Sequence, residues 1–260
     1  MSPADRRGDP AKTMDLLWGT EPTTTRPGPA PSLRAHDIVT AAIDIADAGG
    51  LSALSMRSVA GAVGVTAMAL YAYVPSKDEL IELMVDRVVT EQPLPRSDQG
   101  WRAVLERCAR EALALYGRHP WLLGVATSRT VFGPGVIAQF DAQLGATVDL
   151  DLDPADRVQA IAVIGSFTRG AAHAILEAEQ TTVRAGQSDD DWWAARSPLL
   201  AERLRHASFP HIDRAAAEGG FDQADEALPY TQARALADFE FGLERLLDGI
   251  SLLEQRRPRP

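Results

Sequence analysis

The 260-residue chain has little of what several common protein classes require. Its one cysteine, Cys108, excludes an internal disulfide framework and is typical of a protein from a reducing cytoplasm. None of its apolar runs is as long as a membrane span, and the MDLLWG segment at 14–19 is too short for a span or a signal core. We therefore expect a cytoplasmic protein with no membrane partner.

Recognisable catalytic motifs are missing as well. The sequence has no phosphate-binding P-loop, no GxGxxG after a strand, no nucleophile elbow and no Cys–His arrangement with recognisable spacing. His173 and Glu177 lie four residues apart, which suits either a metal pair or a hydrogen bond across one helical turn. Because no third ligand lies nearby, we favour the hydrogen bond. The sequence thus predicts no enzyme, no catalytic residue, no metal and no cofactor.

Basic residues are outnumbered by acidic ones. The chain has 26 Lys and Arg against 36 Asp and Glu, a formal net charge of -10. This balance excludes a protein that coats nucleic acid through general positive charge. Residues 48–77 nevertheless contain Arg57 and Lys77 and no acidic side chain. Such a local patch is sufficient for binding one specific DNA site.

What the sequence does contain is helical periodicity along most of its length, which predicts an all-α fold. Residues 1–31, rich in Pro, Thr and Gly, lack this periodicity and predict a flexible arm in which MDLLWG is a candidate docking motif. Outside the segment at 51–93, the pattern predicts helices over 33–48, 101–115, 120–130, 134–147, 153–184, 189–206 and 230–255, with an irregular stretch over 207–228.

Residues 51–80 predict two short helices around a tight turn, followed by a third helix. Ser55 is placed to cap the first helix, and Gly64 ends it. Thr66 is placed to cap the second helix, and Ser76 begins a capping box for the third. This arrangement is that of a helix-turn-helix, whose second helix enters the major groove of DNA.

The stretch resembles the DNA-binding domain of the TetR family of bacterial one-component repressors, over roughly residues 33–90. The resemblance lies in RSVA at 57–60, GVT at 64–66, LYAY at 70–73 and SKDEL at 76–80, which follow the family's order and spacing. The resemblance implies that Arg57 reaches a base edge or a nearby phosphate. It also implies apolar contacts to bases from Ala67 and Met68, and backbone contacts from Thr66, Tyr71, Tyr73 and Lys77.

Three basic residues near this domain have two interpretations each. Lys77 is either an ordinary surface lysine or a phosphate clamp at the start of its helix. Arg26 and Arg34 lie just before the first long helix, where they either enter the minor groove or belong to a tail of scattered charge.

The second half of the chain resembles the C-terminal domain of the tetracycline-repressor branch. IGSFTRGAAHAILEAEQ at 164–180 and FEFGLERLLDGI at 239–250 carry this resemblance. It implies a homodimer in which a small-molecule effector enters a helical cavity and shifts the recognition helices. Arg129 stands where that branch has a metal-binding histidine, so we do not expect a magnesium–tetracycline chelate.

These features predict three segments: a flexible arm at 1–31, a helix-turn-helix domain at 32–90 and a ligand-binding and dimerisation domain at 99–257. They predict a repressor that binds a palindromic double-stranded DNA operator as a homodimer and leaves it when a small-molecule effector binds. The alternative is a dimeric DNA-binding regulator without a ligand. The aromatic and polar residues that are candidates for the effector cavity, or else for the core, are His119, Trp121, Phe132, Phe140, Phe167, His173 and Glu177.

Overall fold

A computed structural model describes residues 10–19, 33–96, 100–127, 130–204, 208–222 and 227–255. Within these ranges the fold is all-helical, without a β-strand, as the sequence predicts. A 3₁₀ turn, Pro120–Gly124, follows the sixth helix. The α-helices are α1 (Pro10–Trp18), α2 (Ala35–Ala53), α3 (Met56–Ala62), α4 (Ala67–Tyr73), α5 (Lys77–Val89), α6 (Trp101–Arg118), α7 (Pro134–Ala146), α8 (Pro154–Ala185), α9 (Asp189–Leu204), α10 (Pro210–Ala217) and α11 (Tyr230–Gln255).

The N-terminal segment differs from the predicted flexible arm. Residues 10–18 form helix α1, in which Leu17 is buried. A nine-residue helix is marginal by itself in water, so its stability depends on tertiary packing that the local sequence pattern does not reveal. The other residues of the predicted arm, including Arg26, lie outside the described residues.

Two further segments differ from the predicted pattern. Residues 210–217 form helix α10 inside a stretch predicted to be irregular, with Pro210 in its first turn, where the missing N–H costs nothing. Residues 120–124 form a 3₁₀ turn rather than the start of a longer helix.

Gly50 has φ of 69° and interrupts α2 close to residue 48, where the sequence predicts that the helix ends.

The chain divides into two compact units, residues 1–162 and 163–260. This division by compactness does not test the predicted domain bounds at 32–90 and 99–257, which stay predictions. Leu115, Trp121 and Leu122 share one core with the helix-turn-helix residues. Unit 1 therefore continues through α6, the 3₁₀ turn and α7.

The core of unit 1 surrounds the helix-turn-helix. Helix α2 packs against α3 and α5, and α3 packs against α4, through side chains that belong to one buried cluster. The fully buried residues of this core, each with 0% exposure, are Ile38, Ala42, Val59, Leu70, Val74, Leu80, Met84 and Val88.

Unit 2 is built around α11. Its Phe239, Leu243 and Leu247 are each 1% exposed. The rings of Phe167 on α8 and Phe239 are stacked with centroids 6.0 Å apart. Gly242 permits this close packing, because a Cβ there would collide with the Phe167 ring. Among the described helices, none combines the length and the hydropathy that a membrane span requires.

Candidate nucleic-acid interface and ligand cavity

Side-chain caps and one glycine hold the turn between α3 and α4. Ser55 Oγ accepts the backbone N–H of Ser58 at 3.0 Å and starts α3. Gly64 turns the chain with φ of +72°, a conformation that costs glycine little. Thr66 Oγ1 then accepts the N–H of Ala69 at 3.2 Å and starts α4. These predicted caps are confirmed.

One face of helix α4 packs against the core of unit 1, and the opposite face is exposed to solvent. Leu70 is fully buried, and the half-buried Ala67 and Tyr73 pack against the same core. Met68 is 81% exposed and Tyr71 is 44% exposed. A seven-residue helix with this division presents small and aromatic side chains to a partner while its orientation stays fixed by packing.

Two arginines and a hydroxyl group that the sequence predicts to contact DNA are exposed. Arg57 on α3 and Thr66 are exposed. Arg34 is exposed at the start of α2, where its backbone N–H donates to Asp37 Oδ2 at 3.0 Å. Since the chain between 48 and 77 has no acidic residue, no carboxylate of α3 or α4 opposes an approaching phosphate.

Lys77 has a structural contact that the sequence does not suggest. Its Nζ donates to the carbonyl oxygen of Leu51 at 2.8 Å, which joins the first turn of α5 to the end of α2. The side chain is half-buried rather than free on the surface. An ammonium group has three N–H donors, so contact with a phosphate remains compatible with this bond and stays a prediction.

His119 and Trp121 lie in a polar joint of unit 1. His119 Nδ1 is 2.8 Å from Asp47 Oδ1, and its Nε2 is 3.2 Å from Glu91 Oε2. The indole of Trp121 donates to the same Asp47 oxygen at 2.8 Å. This joint connects α2 with the 3₁₀ turn and with the end of α5. Because these polar side-chain atoms are already bonded to carboxylates, they are poorly placed for the predicted effector contacts, which stay untested.

A second joint fixes the start of α7 on α5. Asp86 Oδ1 accepts the N–H of Val136 at 2.9 Å. Burial raises the pKa of the Asp86 carboxyl, and the hydrogen bonds from Val136 and Gly135 partly offset this rise. A Cβ on Gly135 would lie 2.7 Å from the Asp86 carbonyl oxygen, so only glycine permits this approach. Gly133 is equally constrained by the Asp86 side chain.

The other predicted effector residues are divided between the two units. Phe132 and Phe140 belong to unit 1 and are 57% and 36% exposed. His173 and Glu177 belong to unit 2, and their side chains are 69% and 73% exposed. His173 Nδ1 and Glu177 Oε2 are 3.9 Å apart, which is longer than the predicted hydrogen bond. Arg129 lies outside the described residues.

Unit 2 contains an open cavity of about 530 Å³ between α8 and α11. One side has small residues at helical spacing, Gly170, Ala174 and Ala178, beside the ring of Phe167. The other side has Tyr230, Arg234 and Asp238. This combination of apolar walls and a few polar groups is typical of sites for drug-sized molecules.

Of the predicted effector residues, Phe167 alone lines this cavity. Sequence reasoning missed Tyr230, Arg234 and Asp238, because only the fold brings the start of α11 beside α8. A usable signal did exist: small residues four apart at 166, 170, 174 and 178 mark a helix face that a neighbour or ligand can approach closely.

Two known families match the chain. Residues 38–84 match "Bacterial regulatory proteins, tetR family" and residues 94–253 match "Tetracyclin repressor-like, C-terminal domain". The chain is 40% identical to the HTH-type transcriptional repressor DrrR1 of Streptomyces coeruleorubidus, over 96% of this chain and 88% of that protein. It is 28% identical to tetracycline repressor protein class A from transposon 1721 of Escherichia coli, over 74% of this chain and 86% of that protein.

Solved structures agree with these matches. ActR of Streptomyces coelicolor in complex with actinorhodin has a TM-score of 0.64 at 25% identity, over 86% of this chain and 99% of ActR. A possible TetR family transcriptional regulator from Streptomyces coelicolor A3(2) has a TM-score of 0.62 at 25% identity, over 85% of this chain and 100% of that one. The matched families are those of transcriptional regulators rather than enzymes. The chain belongs to the TetR family of transcriptional repressors, with a tetracycline-repressor-like C-terminal domain.

Proposed function

We propose that the chain is a homodimeric repressor that binds a palindromic operator through α3 and α4 and leaves it when a small molecule binds the C-terminal domain. The observation that carries this proposal is the surface of α4, with Met68 81% exposed above a fully buried Leu70. Helix-turn-helix dimers place their recognition helices about 34 to 36 Å apart, one turn of DNA, so the two half-sites are inverted copies. A bacterial operator lies in the cytoplasm, where the chain would therefore act.

The side chains of the interface suggest how the operator is recognised. Arg57 is the residue that can hydrogen-bond a base edge, whereas Met68 and Ala67 offer only apolar contact, for example to a thymine methyl. Thr66, Tyr71, Tyr73 and Lys77 supply donors for phosphates. Because α4 has no side chain with two hydrogen-bond donors for a base edge, we expect a large share of the binding energy to come from contacts with the DNA backbone.

The effector proposal is supported by the cavity of unit 2. Its volume of about 530 Å³ lies in the range that holds drug-sized ligands. ActR, a structural relative over 86% of this chain, is known in complex with actinorhodin. We infer an effector that is flat, largely apolar and aromatic, since Phe167, Tyr230 and the Gly170–Ala174 face of α8 suit such a shape.

The dimer proposal is supported by exposed bulky side chains on α8 and α11. Val163 is 51% exposed and Phe241 is 64% exposed, although each lies on a helix that also contributes to the core of unit 2. We infer that these side chains belong to a surface that a second copy of the chain covers. We expect Phe241→Asp to shift the chain from dimer to monomer in sedimentation at micromolar concentration. Val148→Asp, at a 59% exposed residue of unit 1, is the control.

Selection of bound fragments from a random DNA library tests the operator proposal. We expect a palindrome, and gel shifts on it should give about a tenfold weaker Kd for Tyr71→Ala on every sequence tested. Arg57→Ala should instead lower the preference for one base position. Arg87→Ala removes a positive charge at the far end of α5 and serves as the control. Failure of the wild-type chain to enrich any sequence would refute DNA recognition.

Thermal stability in the presence of flat aromatic compounds, including actinorhodin, tests the effector proposal. A true effector raises the melting temperature and releases the selected operator. Ala174→Leu places a larger side chain at the cavity and should abolish both effects, whereas Ala216→Leu on the exposed face of α10 should retain them. Operator binding without response to any compound would favour the alternative, a DNA-binding dimer without a ligand.

A further inference from the structure

Helix α1 lies outside both matched family regions, which begin at residues 38 and 94. It is nevertheless part of the core of unit 1, since Leu17 is 8% exposed and Thr13 is 9% exposed. Leu16 packs against the same core. The helix ends before Gly19, whose φ of +63° allows the chain to leave it.

Two different elements hold α1 in place. The helix packs against α5, whose Leu80 and Met84 belong to the same buried cluster. At its end, Trp18 Nε1 donates to the carbonyl oxygen of Phe132 at 3.0 Å. Phe132 immediately precedes Gly133 and the start of α7. Helix α1 therefore contacts α5 and also the segment just before α7, the two elements that the Asp86–Val136 hydrogen bond joins.

The position of α5 matters for α4. The fully buried Val74 follows the last residue of α4, and Ser76 caps α5 only two residues later. Lys77 fixes the same turn to the end of α2 through the Leu51 carbonyl oxygen. With so short a connection and both helices packed in one core, a displacement of α5 changes the orientation of α4.

We propose that α1 is an intramolecular brace that fixes α5 against the start of α7 and thereby sets the affinity for the operator. The brace acts by restricting the arrangements that α5 samples. Operator binding requires one arrangement of α4, and the apparent Kd equals the intrinsic Kd divided by the fraction of molecules in that arrangement. Loss of the brace lowers this fraction. The inference rests on the proposed DNA binding, although its structural part can be measured without DNA.

Full-length Leu17→Ala and Trp18→Phe chains test the brace. Trp18→Phe keeps the aromatic ring and removes only the hydrogen bond to Phe132. Met14→Ala, on the exposed side of the same helix, is the control. We expect hydrogen exchange in 77–89 and 131–137 to become at least about threefold faster in both test variants, and the operator Kd to rise by about threefold to tenfold.

The two measurements separate the possible failures. Unchanged hydrogen exchange in both test variants would overturn the brace, whatever happens to DNA binding. Faster exchange with an unchanged or tighter operator Kd would overturn its role in affinity. If the wild-type chain selects no operator, the proposed function fails, and the hydrogen-exchange comparison still decides whether α1 restrains α5. Should Leu17→Ala not fold, Trp18→Phe against Met14→Ala carries the test.

Discussion

Unit 1 and unit 2 place their large apolar side chains differently. In unit 1, each helix from α1 to α6 contributes to one core, and Leu70 and Met84 are fully buried there. Unit 2 buries Phe239 and its neighbours on α11 but leaves bulky side chains exposed, among them Trp193 at 53% and Leu199 at 64%. Unit 1 also exposes bulky side chains, such as Met68 and Val148, but its core is shared by six helices, whereas the described buried apolar residues of unit 2 lie on α8 and α11.

The polar joints show the same contrast. Unit 1 has a partly buried network in which Asp47 accepts from both His119 and Trp121. The ion pairs described in unit 2, such as Arg234 with Asp238 at 3.1 Å, lie on exposed side chains and contribute little to stability. Substitutions in unit 1 should therefore cost more than matched substitutions in unit 2, and the following predictions test this difference.

Asp47→Ala should have the largest effect. It leaves two donors, His119 Nδ1 and Trp121 Nε1, without an acceptor in a site where their side chains are almost fully buried. Allowing for the 30% exposure of the Asp47 side chain, we expect a loss of about 3 kcal/mol in the free energy of unfolding, measured in urea. Asp44→Ala, on the same helix, should change it by less than about 0.5 kcal/mol. Equal losses of unfolding free energy in the two variants would show that this joint does not stabilise unit 1.

The Cys108 thiol should react about a hundredfold more slowly than an unburied one. Burial and the nearby Glu111 raise its pKa from 9.0 to about 11, so its thiolate is scarce at neutral pH. The rate of alkylation by iodoacetamide should rise about tenfold per pH unit up to that pKa. Because the folded chain disfavours the thiolate, stability should fall as pH rises from 9 towards 11. Rapid alkylation at pH 7 would show that unit 1 opens more readily than its packing indicates.

Gly135→Ala tests the α5–α7 joint. Its Cβ would lie 2.7 Å from the backbone oxygen of Asp86, and backbone cannot move aside as a side chain can. We expect a loss of about 2 kcal/mol in urea unfolding. Gly145→Ala in the same helix meets nothing within 4 Å and should be neutral or slightly stabilising. A neutral result for both would mean that α7 is not held closely on α5.

Gly242→Ala is the corresponding test in unit 2, and we expect a smaller loss of about 1 kcal/mol. Its Cβ would meet the ring of Phe167, which is a side chain with an open cavity beside it and can shift. Gly249→Ala, with open space around it, is the control. A loss larger than that of Gly135→Ala would reverse the contrast between the two units.

Much of the DNA-binding half was predictable from the sequence, because its determinants are local. Ser55, Gly64 and Thr66 act through hydrogen bonds and backbone angles within a few residues, so their roles follow from residue type and spacing. The helices over 56–62 and 67–73 and the all-α fold follow from the same signals. The C-terminal resemblance also identified the matched family over 94–253.

The effector residues were predicted less well, because they depend on contacts between distant segments. Sequence composition cannot tell that His119 is bonded to Asp47, 72 residues away, rather than facing a cavity. It likewise cannot tell that residues 230–239 come beside residues 166–178. Aromatic and polar residue types fit a core, a joint and a ligand site equally well.

The sequence by itself determined the family, the helical class and the order of caps and turns in 51–80, since each depends on neighbours along the chain. Only the tertiary structure decided that α1 is a packed helix, that Lys77 bonds Leu51 and that α6 and α7 belong to the same compact unit as the helix-turn-helix. The physical reason is that burial and long-range hydrogen bonds depend on which helix faces meet. A sequence pattern shows which face of a helix is apolar, but it does not show which other element packs against that face.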